Sequence, residues 1–129
     1  VKENNQYRMA PVFDNGSCLF PNLTNEKDML DIIESEEETK RRVYQFPTSQ
    51  IKLHGKKSSY YEVISSLEFE ECCEALVDIY EKVNIEKIYD IVDGVDLLSN
   101  VQRNFYKHMI KNRYEMIIKD SYTTWKGGR

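Results

Sequence analysis

The sequence predicts a mainly α-helical domain, a helical bundle that follows a short strand and turn at the N-terminal end. Two observations lead to this fold class. Apolar residues recur at helical spacing in several segments after Pro21, and Ser, Thr or Asn precedes most of these segments, where a helix needs an N-cap. Strand-like residues are confined to the first 20 positions. Since the chain has 129 residues, of which 40% are apolar, we expect one core and read residues 1–129 as a single domain.

The strand and turn are placed in residues 1–23. In the stretch "APVFDNGSCLF" an apolar run ends in Asp14-Asn15-Gly16, and apolar residues resume at Cys18. Asp-Asn-Gly favours a tight turn, so a plain hairpin is one interpretation. The other is a strand that holds the carboxylate of Asp14 in place for a divalent metal beside nucleotide phosphates, with Gly16 allowing the sharp turn.

Two short helices are expected next. Thr24 or Asn25 can cap the first, whose apolar stripe is Met29, Leu30, Ile32 and Ile33. A capping-box pattern at Ser35 opens the second, which runs to about Tyr44. Its acidic start and basic end complement the helix dipole and predict two ion pairs, Glu37 with Arg41 and Glu38 with Arg42.

Residues 46–59 are polar and basic, contain Pro47 and Gly55, and are interpreted as a loop. Its basic segment, Lys52 to Lys57, has two readings, a solvated surface or a surface that binds substrate or phosphate. His54 and His108 each lack a second ligand at metal-binding spacing, so neither indicates a zinc site.

The second half of the chain predicts four more helices, so that helices occupy residues 24–125. They cover about 60–66, 68–83, a short segment capped by Asn84, and about 100–121, opened by Ser99 and Gln102. The residues from Lys126 are read as a loose tail. The cysteines are interpreted as reduced thiols in a helix core. The expected apolar faces are Cys72, Leu76, Ile79 and Tyr80 in the second of these helices, and Val101, Phe105, Met109, Ile110 and Ile117 in the last.

Charge and hydropathy restrict the class of protein. A net charge of -4 and a pI near 5.3 argue against direct nucleic-acid binding, although Lys52 to Lys57 and residues 111–113 could supply a basic face. No apolar run reaches the roughly 20 residues of a membrane span, and no signal peptide is evident. The sequence therefore predicts a soluble, cytoplasmic protein without a membrane partner.

Three segments together resemble the C-terminal part of HipA-like serine/threonine kinases: "APVFDNGSCLF", "SQIKLHGKKSSYYEVI" and "LSNVQRNFYKHMIKNRYEMI". The resemblance covers most of the chain. It implies a bundle like a kinase C-lobe, with Asp14 as the metal ligand and Asn15 and Gly16 shaping the turn at the nucleotide. For the complete protein it implies ATP and Mg²⁺ as cofactors, phosphorylation of a protein on Ser or Thr, and a bacterial toxin role with an antitoxin partner.

The chain departs from a complete kinase in one respect. Phosphoryl transfer needs phosphate-cradling glycines, a lysine, a catalytic Asp and a metal-binding Asn upstream of the metal Asp. Asp14 is the first aspartate, and the five glycines form no Gly-x-Gly-x-x-Gly loop. We therefore expect a fragment, opening at Val1, that is inactive alone and needs an N-terminal kinase lobe from upstream or from another chain. The alternative is a stand-alone helical protein-interaction module that binds through a Tyr-rich or Lys-rich surface.

Overall fold

The structure, a computed structural model, describes residues 2–8, 10, 18–46 and 48–128. These residues are mainly helical, which confirms the predicted fold class. The elements in chain order are β1 Lys2–Glu3, β2 Gln6–Tyr7, α1 Glu26–Glu34, α2 Glu36–Gln45, β3 Thr48–Leu53, β4 Lys56–Ser59, α3 Tyr60–Ser66, α4 Glu70–Lys82, α5 Ile85–Asp93, α6 Asn100–Arg113, a π-helix Tyr114–Lys119, and α7 Asp120–Gly127.

Helices α1, α2, α3 and α6 begin at polar N-cap residues, as the sequence predicts. The side chain of Asn25 accepts a hydrogen bond from the Lys27 amide at 2.9 Å, and Ser35 accepts one from Glu38 at 3.2 Å. Ser59 and Ser99 open α3 and α6 with complete capping boxes. These side chains satisfy amides that a helix leaves without partners in its first turn.

The core is built on α6. Phe105 and Met109 of this helix are fully buried, and they pack against side chains from the helices that flank it. The stripe predicted for the last helix is therefore confirmed at its central positions. The remaining buried members of the cluster are Met29 and Ile32 from α1, Val43 from α2, and Ile117 from the π-helix.

The prediction of a loop over residues 46–59 was wrong, because β3 and β4 form an antiparallel hairpin there. His54 and Gly55 occupy its two-residue turn with φ angles of 49° and 78°. The strands are held by backbone bonds and by Ser49, a buried residue whose Oγ donates to the Ser58 carbonyl at 2.8 Å. A buried serine does not produce the alternation of apolar and polar residues that indicates a strand. The sequence pattern therefore did not predict β3.

The N-terminal end is a small hairpin in the described residues. Strands β1 and β2 pair antiparallel around Asn4 and Asn5, both with positive φ. The apolar run predicted as a strand, 10–13, lies outside the described residues apart from Ala10. That part of the prediction stays a prediction.

Helix α4 presents a different face to the core from the one predicted. Cys73 and Leu76 are buried, whereas Cys72 and Ile79 are exposed. Cys18 is exposed as well, so only Cys73 fits the interpretation as a core thiol. The predicted face is therefore confirmed at Leu76 and at half-buried Tyr80, and wrong at Cys72 and Ile79.

Helix α6, the π-helix and α7 follow one another without leaving helical backbone angles, from residue 100 to 127. The helical segment therefore continues beyond residue 121 and includes Lys126 and Gly127, which were expected to be loose. No helix in the described part of the chain is long and apolar enough to cross a membrane.

The ion pairs of α2 agree only in part with the prediction. Arg42 lies 3.7 Å from the carboxylate of Glu38, as expected for an i,i+4 pair. Arg41 binds Glu38 as well, with both guanidinium bonds near 3 Å, rather than Glu37. The i,i+3 pair is favoured because the Glu38 carboxylate accepts hydrogen bonds from two nitrogens of the Arg41 guanidinium.

Candidate functional site

The predicted site residues Asp14, Asn15 and Gly16 lie within 11–17, outside the described residues. Their roles therefore stay predictions. Among the residues that the structure describes, no three His, Cys, Asp or Glu side chains come together as a metal site would require. A carboxylate is the right ligand chemistry for Mg²⁺.

The segment that follows Asp14 is described from Cys18 onward, and it is held by an arginine clamp, defined as Arg42 and Arg113 around the ring of Phe20. The guanidinium carbons lie 5.4 Å and 5.2 Å from the centroid of that ring. Both distances are within the range of a cation–π interaction. The clamp thus joins the segment to α2 and to α6 simultaneously.

Two further contacts fix the segment. Arg113 Nη1 donates to the Cys18 carbonyl oxygen at 2.6 Å, across 95 positions of sequence. The ring of Phe20 also lies 6.3 Å from the ring of Phe105 in the core. Residues 20–23 form a turn, in which the Leu23 amide donates to the Phe20 carbonyl oxygen at 3.0 Å.

Both arginines of the clamp are partly buried. Burial lowers the pKa of Arg113 from its ordinary value, although a guanidinium remains charged. Arg113 Nη2 and Arg42 Nε are buried and have no hydrogen-bond partner in the described part of the chain. Both guanidinium groups lie over the face of the Phe20 ring.

Phe20 has a backbone φ of 56°, in the left-handed region that non-glycine residues avoid. A residue in this conformation persists only where its surroundings hold it. The clamp and the core contact are the interactions that do so.

A second feature is a groove of about 440 Å³ between α1, α2 and α6. Thr39 donates its hydroxyl proton to the Ile32 carbonyl at 2.8 Å, so its oxygen must accept from His108 Nε2, also at 2.8 Å. This assigns the proton of a neutral His108 to Nε2. Burial, and secondarily the charge of Lys111, lower the pKa of His108 below 6.5. The other lining residues are Ile33, Glu34, Glu36, Lys40, Asn112 and Met116.

The predicted basic surface lies on the β3–β4 hairpin. Lys52 stands directly opposite Lys57, and both are exposed. At the turn, His54 Nε2 lies 3.1 Å from the carboxylate of Glu68. Both interpretations, a solvated surface and a surface that binds substrate or phosphate, predict exposed lysines, so the choice between them stays open.

The sequence alone does not predict the clamp. Its local patterns indicate an intrahelical ion pair for Arg42 and a basic face for Arg113, and they indicate no role for Phe20. No local signal could have joined them, because the bond from Arg113 spans 95 residues.

Comparison with known proteins places this geometry in context. No protein-family model matches the chain. Over 124 residues it is 31% identical to the serine/threonine-protein kinase CtkA of Helicobacter pylori, a match that covers 95% of this chain and 38% of that protein.

The fold gives the same result. The crystal structure of a Helicobacter pylori proinflammatory kinase, CtkA, matches with a TM-score of 0.82 and 30% identity, covering 94% of this chain and 43% of that one. The chain thus spans less than half the length of the relative that it matches. We conclude that it is homologous to one part of a serine/threonine kinase.

Proposed function

We propose that this chain is the C-terminal part of a HipA-like, ATP- and Mg²⁺-dependent protein serine/threonine kinase, in which Asp14 supplies a metal ligand. The observation that carries the proposal is the match of 95% of this chain to 38% of a serine/threonine kinase. The motif around Asp14 adds the chemistry, since an apolar run of sequence ends in a carboxylate followed by Asn15 and Gly16.

Within that kinase, the chain contributes few of the residues that phosphoryl transfer needs. Mg²⁺ bridges the phosphate oxygens and neutralises the charge that develops during transfer. Asp14 would hold the ion, while Asn15 and Gly16 shape the turn beside the nucleotide. The glycine-rich loop and lysine of the nucleotide lobe, and the Asp and Asn of the catalytic loop, have to come from an upstream part of the kinase or from another chain. We therefore infer that this chain alone does not transfer phosphate.

The resemblance extends the proposal to partners. A HipA-like kinase acts on a protein substrate in the cytoplasm, and often as a bacterial toxin controlled by an antitoxin. The acidic balance of this chain, net -4, fits protein partners better than direct contact with nucleic acid.

The first prediction tests Asp14 directly. Replacing Asp14→Asn in the complete kinase removes a charged metal ligand at nearly constant volume, so we expect phosphorylation to fall by about 100-fold or more. The measurement is transfer of labelled phosphate from ATP at saturating Mg²⁺. The matched control is Asp28→Asn, an exposed acid of α1, which should retain the normal rate. A normal rate in Asp14→Asn would refute the proposal.

A helical protein-interaction module is the second candidate, and exposed apolar side chains favour it. Leu97 is 97% exposed and Ile91 is 69% exposed, and a partner that covered them would remove their apolar surface from water. This candidate predicts no dependence on metal or nucleotide in any longer form of the protein. The same phosphate-transfer assay on the complete protein separates the two.

A further inference from the structure

We propose that a small polar cavity between α2, α3 and the start of α7 binds a primary ammonium group, with the carboxylate of Asp120 as its counter-ion. The ammonium is that of a lysine side chain on a protein or that of a free alkylamine. The inference goes beyond the proposed kinase reaction and does not rest on it, because no residue of the cavity belongs to the proposed metal site.

The cavity has a volume of about 250 Å³. Asp120 is exposed, whereas Ser121 is only 4% exposed, so the cavity extends from solvent at the first residue into the interior at the second. Pockets for drug-sized ligands measure roughly 300–1,000 Å³, so this one suits a smaller group. The residues that line it and carry the argument are Tyr44 of α2, Tyr61 and Ser65 of α3, Met116 of the π-helix, and Asp120 and Ser121 of α7.

Ser121 is the residue that points to a ligand. A helical serine or threonine often donates to the carbonyl four residues earlier, and Thr123 and Thr124 both do so at 2.9 Å. The hydroxyl of Ser121 has no hydrogen-bond partner in the described part of the chain, although both threonines are exposed and Ser121 is buried. Since a buried polar group without a partner is uncommon and costs stability, Ser121 offers an acceptor to a group in the cavity.

Three further hydroxyl groups belong to the lining, those of Tyr44, Tyr61 and Ser65. None of them has a hydrogen-bond partner among the residues that the structure describes. The rings of Tyr44 and Tyr61 pack against each other, with 4.3 Å between their centroids. Because a phenol oxygen is fixed to its ring, this contact also restrains the two hydroxyl groups. The cavity thus holds several oxygen acceptors in a restrained arrangement.

The charge of the cavity favours a cation. Among the described residues that line it, only Asp120 is charged, and no described cation forms an ion pair with it. Burial, followed by the effects of Tyr61 and Asp120, raises the pKa of Tyr44, so its hydroxyl is neutral at pH 7. Lys40 opposes this effect but is held in an ion pair with Glu36. The carboxylate of Asp120 is therefore the unmatched charge of the cavity.

The set of acceptors matches an ammonium better than a metal ion. A divalent cation takes several carboxylate or carbonyl oxygens, and no three His, Cys, Asp or Glu side chains come together in the described residues. A primary ammonium has three N–H donors and no acceptor, which one carboxylate and adjacent hydroxyl oxygens can satisfy. Met116 and the tyrosine rings supply apolar surface for the attached alkyl chain.

The test is an NMR titration of the isotopically labelled 129-residue chain with butylammonium chloride. We expect the amide signals of residues 61–65 and 120–124 to shift, with half-saturation at about 1 mM, which a ligand this small can reach. Sodium chloride supplies a cation without the alkyl chain, and butanol supplies the chain without the charge. Neither should saturate these signals in the same range. Saturation by either one at the same concentration would overturn the proposal.

Asp120→Asn removes the counter-ion and keeps the shape of the side chain. We expect it to weaken butylammonium binding by about tenfold or more, because a hydrogen bond to a charged group is lost. Asp28→Asn is the matched control, since it neutralises an exposed acid of α1, and it should bind normally. Equal affinities in the two variants would refute the role of Asp120.

Ser121 and Ser66 separate binding from stability. Ser121→Ala should weaken binding by about three- to tenfold and leave the melting temperature unchanged or higher, because it breaks no described hydrogen bond. Ser66 lies on α3 outside the cavity and donates to the Val63 carbonyl at 2.8 Å. Ser66→Ala should therefore lower the melting temperature and leave binding unchanged. Normal binding by Ser121→Ala would contradict the proposal.

A short peptide with one lysine and an acetylated N-terminus distinguishes the two sources of the ammonium. Binding at least as tight as that of butylammonium would identify a lysine side chain on a protein, and weaker binding would identify a free amine. Binding by neither probe would overturn the inference. The proposed function is decided separately by the phosphate-transfer rate of Asp14→Asn, which does not involve this cavity.

Discussion

His108 shows how one buried hydrogen bond settles both a tautomer and a pH response. Its Nε2–H is directed at Thr39, whose own proton is committed to the Ile32 carbonyl. The groups that face this site from the surrounding helices are Glu34, Glu36 and Lys40, with Lys111 adding a repulsive charge. Lys40 is occupied by its ion pair with Glu36. No carboxylate is therefore placed to stabilise a protonated His108 by direct contact in the described residues.

We predict that the free energy of unfolding falls as pH drops below about 6.5. Because burial lowers the pKa of folded His108, the unfolded chain binds more protons between that lowered value and 6.5. The loss should level off once pH passes below the folded pKa. Urea unfolding of the 129-residue chain at several pH values measures it.

His108→Gln keeps a donor for Thr39 but does not titrate, so it should flatten this pH dependence. The matched control is His54→Gln, whose side chain is 78% exposed beside Glu68. It should retain the slope of the original chain. A slope that survives in His108→Gln would show that another group is responsible.

Sequence reasoning succeeded with residues whose structural role is local. The caps Asn25, Ser59 and Ser99 bond to amides two or three residues away, so short patterns reveal them. Phe20 and Arg113 obtain their roles from distant partners. The positive φ of Phe20 is likewise invisible in sequence, since phenylalanine rarely adopts it.

At the scale of elements, the β3–β4 hairpin depends on its turn rather than on apolar side chains. Gly55 has a φ of 78°, and a Cβ there would meet nothing within 4 Å. Backbone conformation, not space, is therefore what requires glycine at this position.

This predicts opposite results for two glycines. Gly55→Ala should lower the free energy of unfolding by about 1 kcal/mol, because alanine is strained at positive φ. Gly127→Ala, at the open end of α7 and also without a close neighbour, should be neutral or raise it by up to about 1 kcal/mol. Chemical denaturation compares the two. Equal effects would contradict the assignment of strain to Gly55.

The π-helix explains why the last helix was predicted only in part. Tyr114 and Tyr122, eight residues apart, both stack on Tyr80, at 6.2 Å and 3.9 Å between ring centroids. In an uninterrupted α-helix, two side chains eight residues apart point about 80° apart around the helix axis. The one extra residue that a π-helical turn inserts reduces this angle to about 20°. The same spacing separates buried Met109 and Ile117. An uninterrupted α-helix would hold the two members of each pair farther apart around the helix axis.

At the scale of the whole molecule, stability should depend on the core around α6. Phe105→Ala removes a fully buried ring and should lower the free energy of unfolding by about 3–5 kcal/mol. Leu97→Ala, at a side chain 97% exposed, should change it by less than about 0.5 kcal/mol. The midpoint of guanidinium denaturation measures both. A small effect of Phe105→Ala would mean that the core lies elsewhere.

Fold and site differ in how far sequence predicts them. Helix periodicity and N-caps occur several times along the chain. The prediction of a mainly helical fold is therefore correct even though the β3–β4 hairpin was not predicted. The proposed site depends on one motif at Asp14, which is readable from residues 10–20. The contacts of Arg42 and Arg113 with Phe20 become visible only when α2 and α6 are packed.

The bond from Arg113 to Cys18 has a consequence for biosynthesis. A ribosome makes the Cys18 end first and adds the 95 positions up to Arg113 afterwards, which takes about 5–20 s at ordinary rates of translation. During that interval the segment after Asp14 emerges without its anchor on α6. A nascent chain that stalls before residue 113 would therefore present Cys18 and Phe20 without their contacts to Arg113.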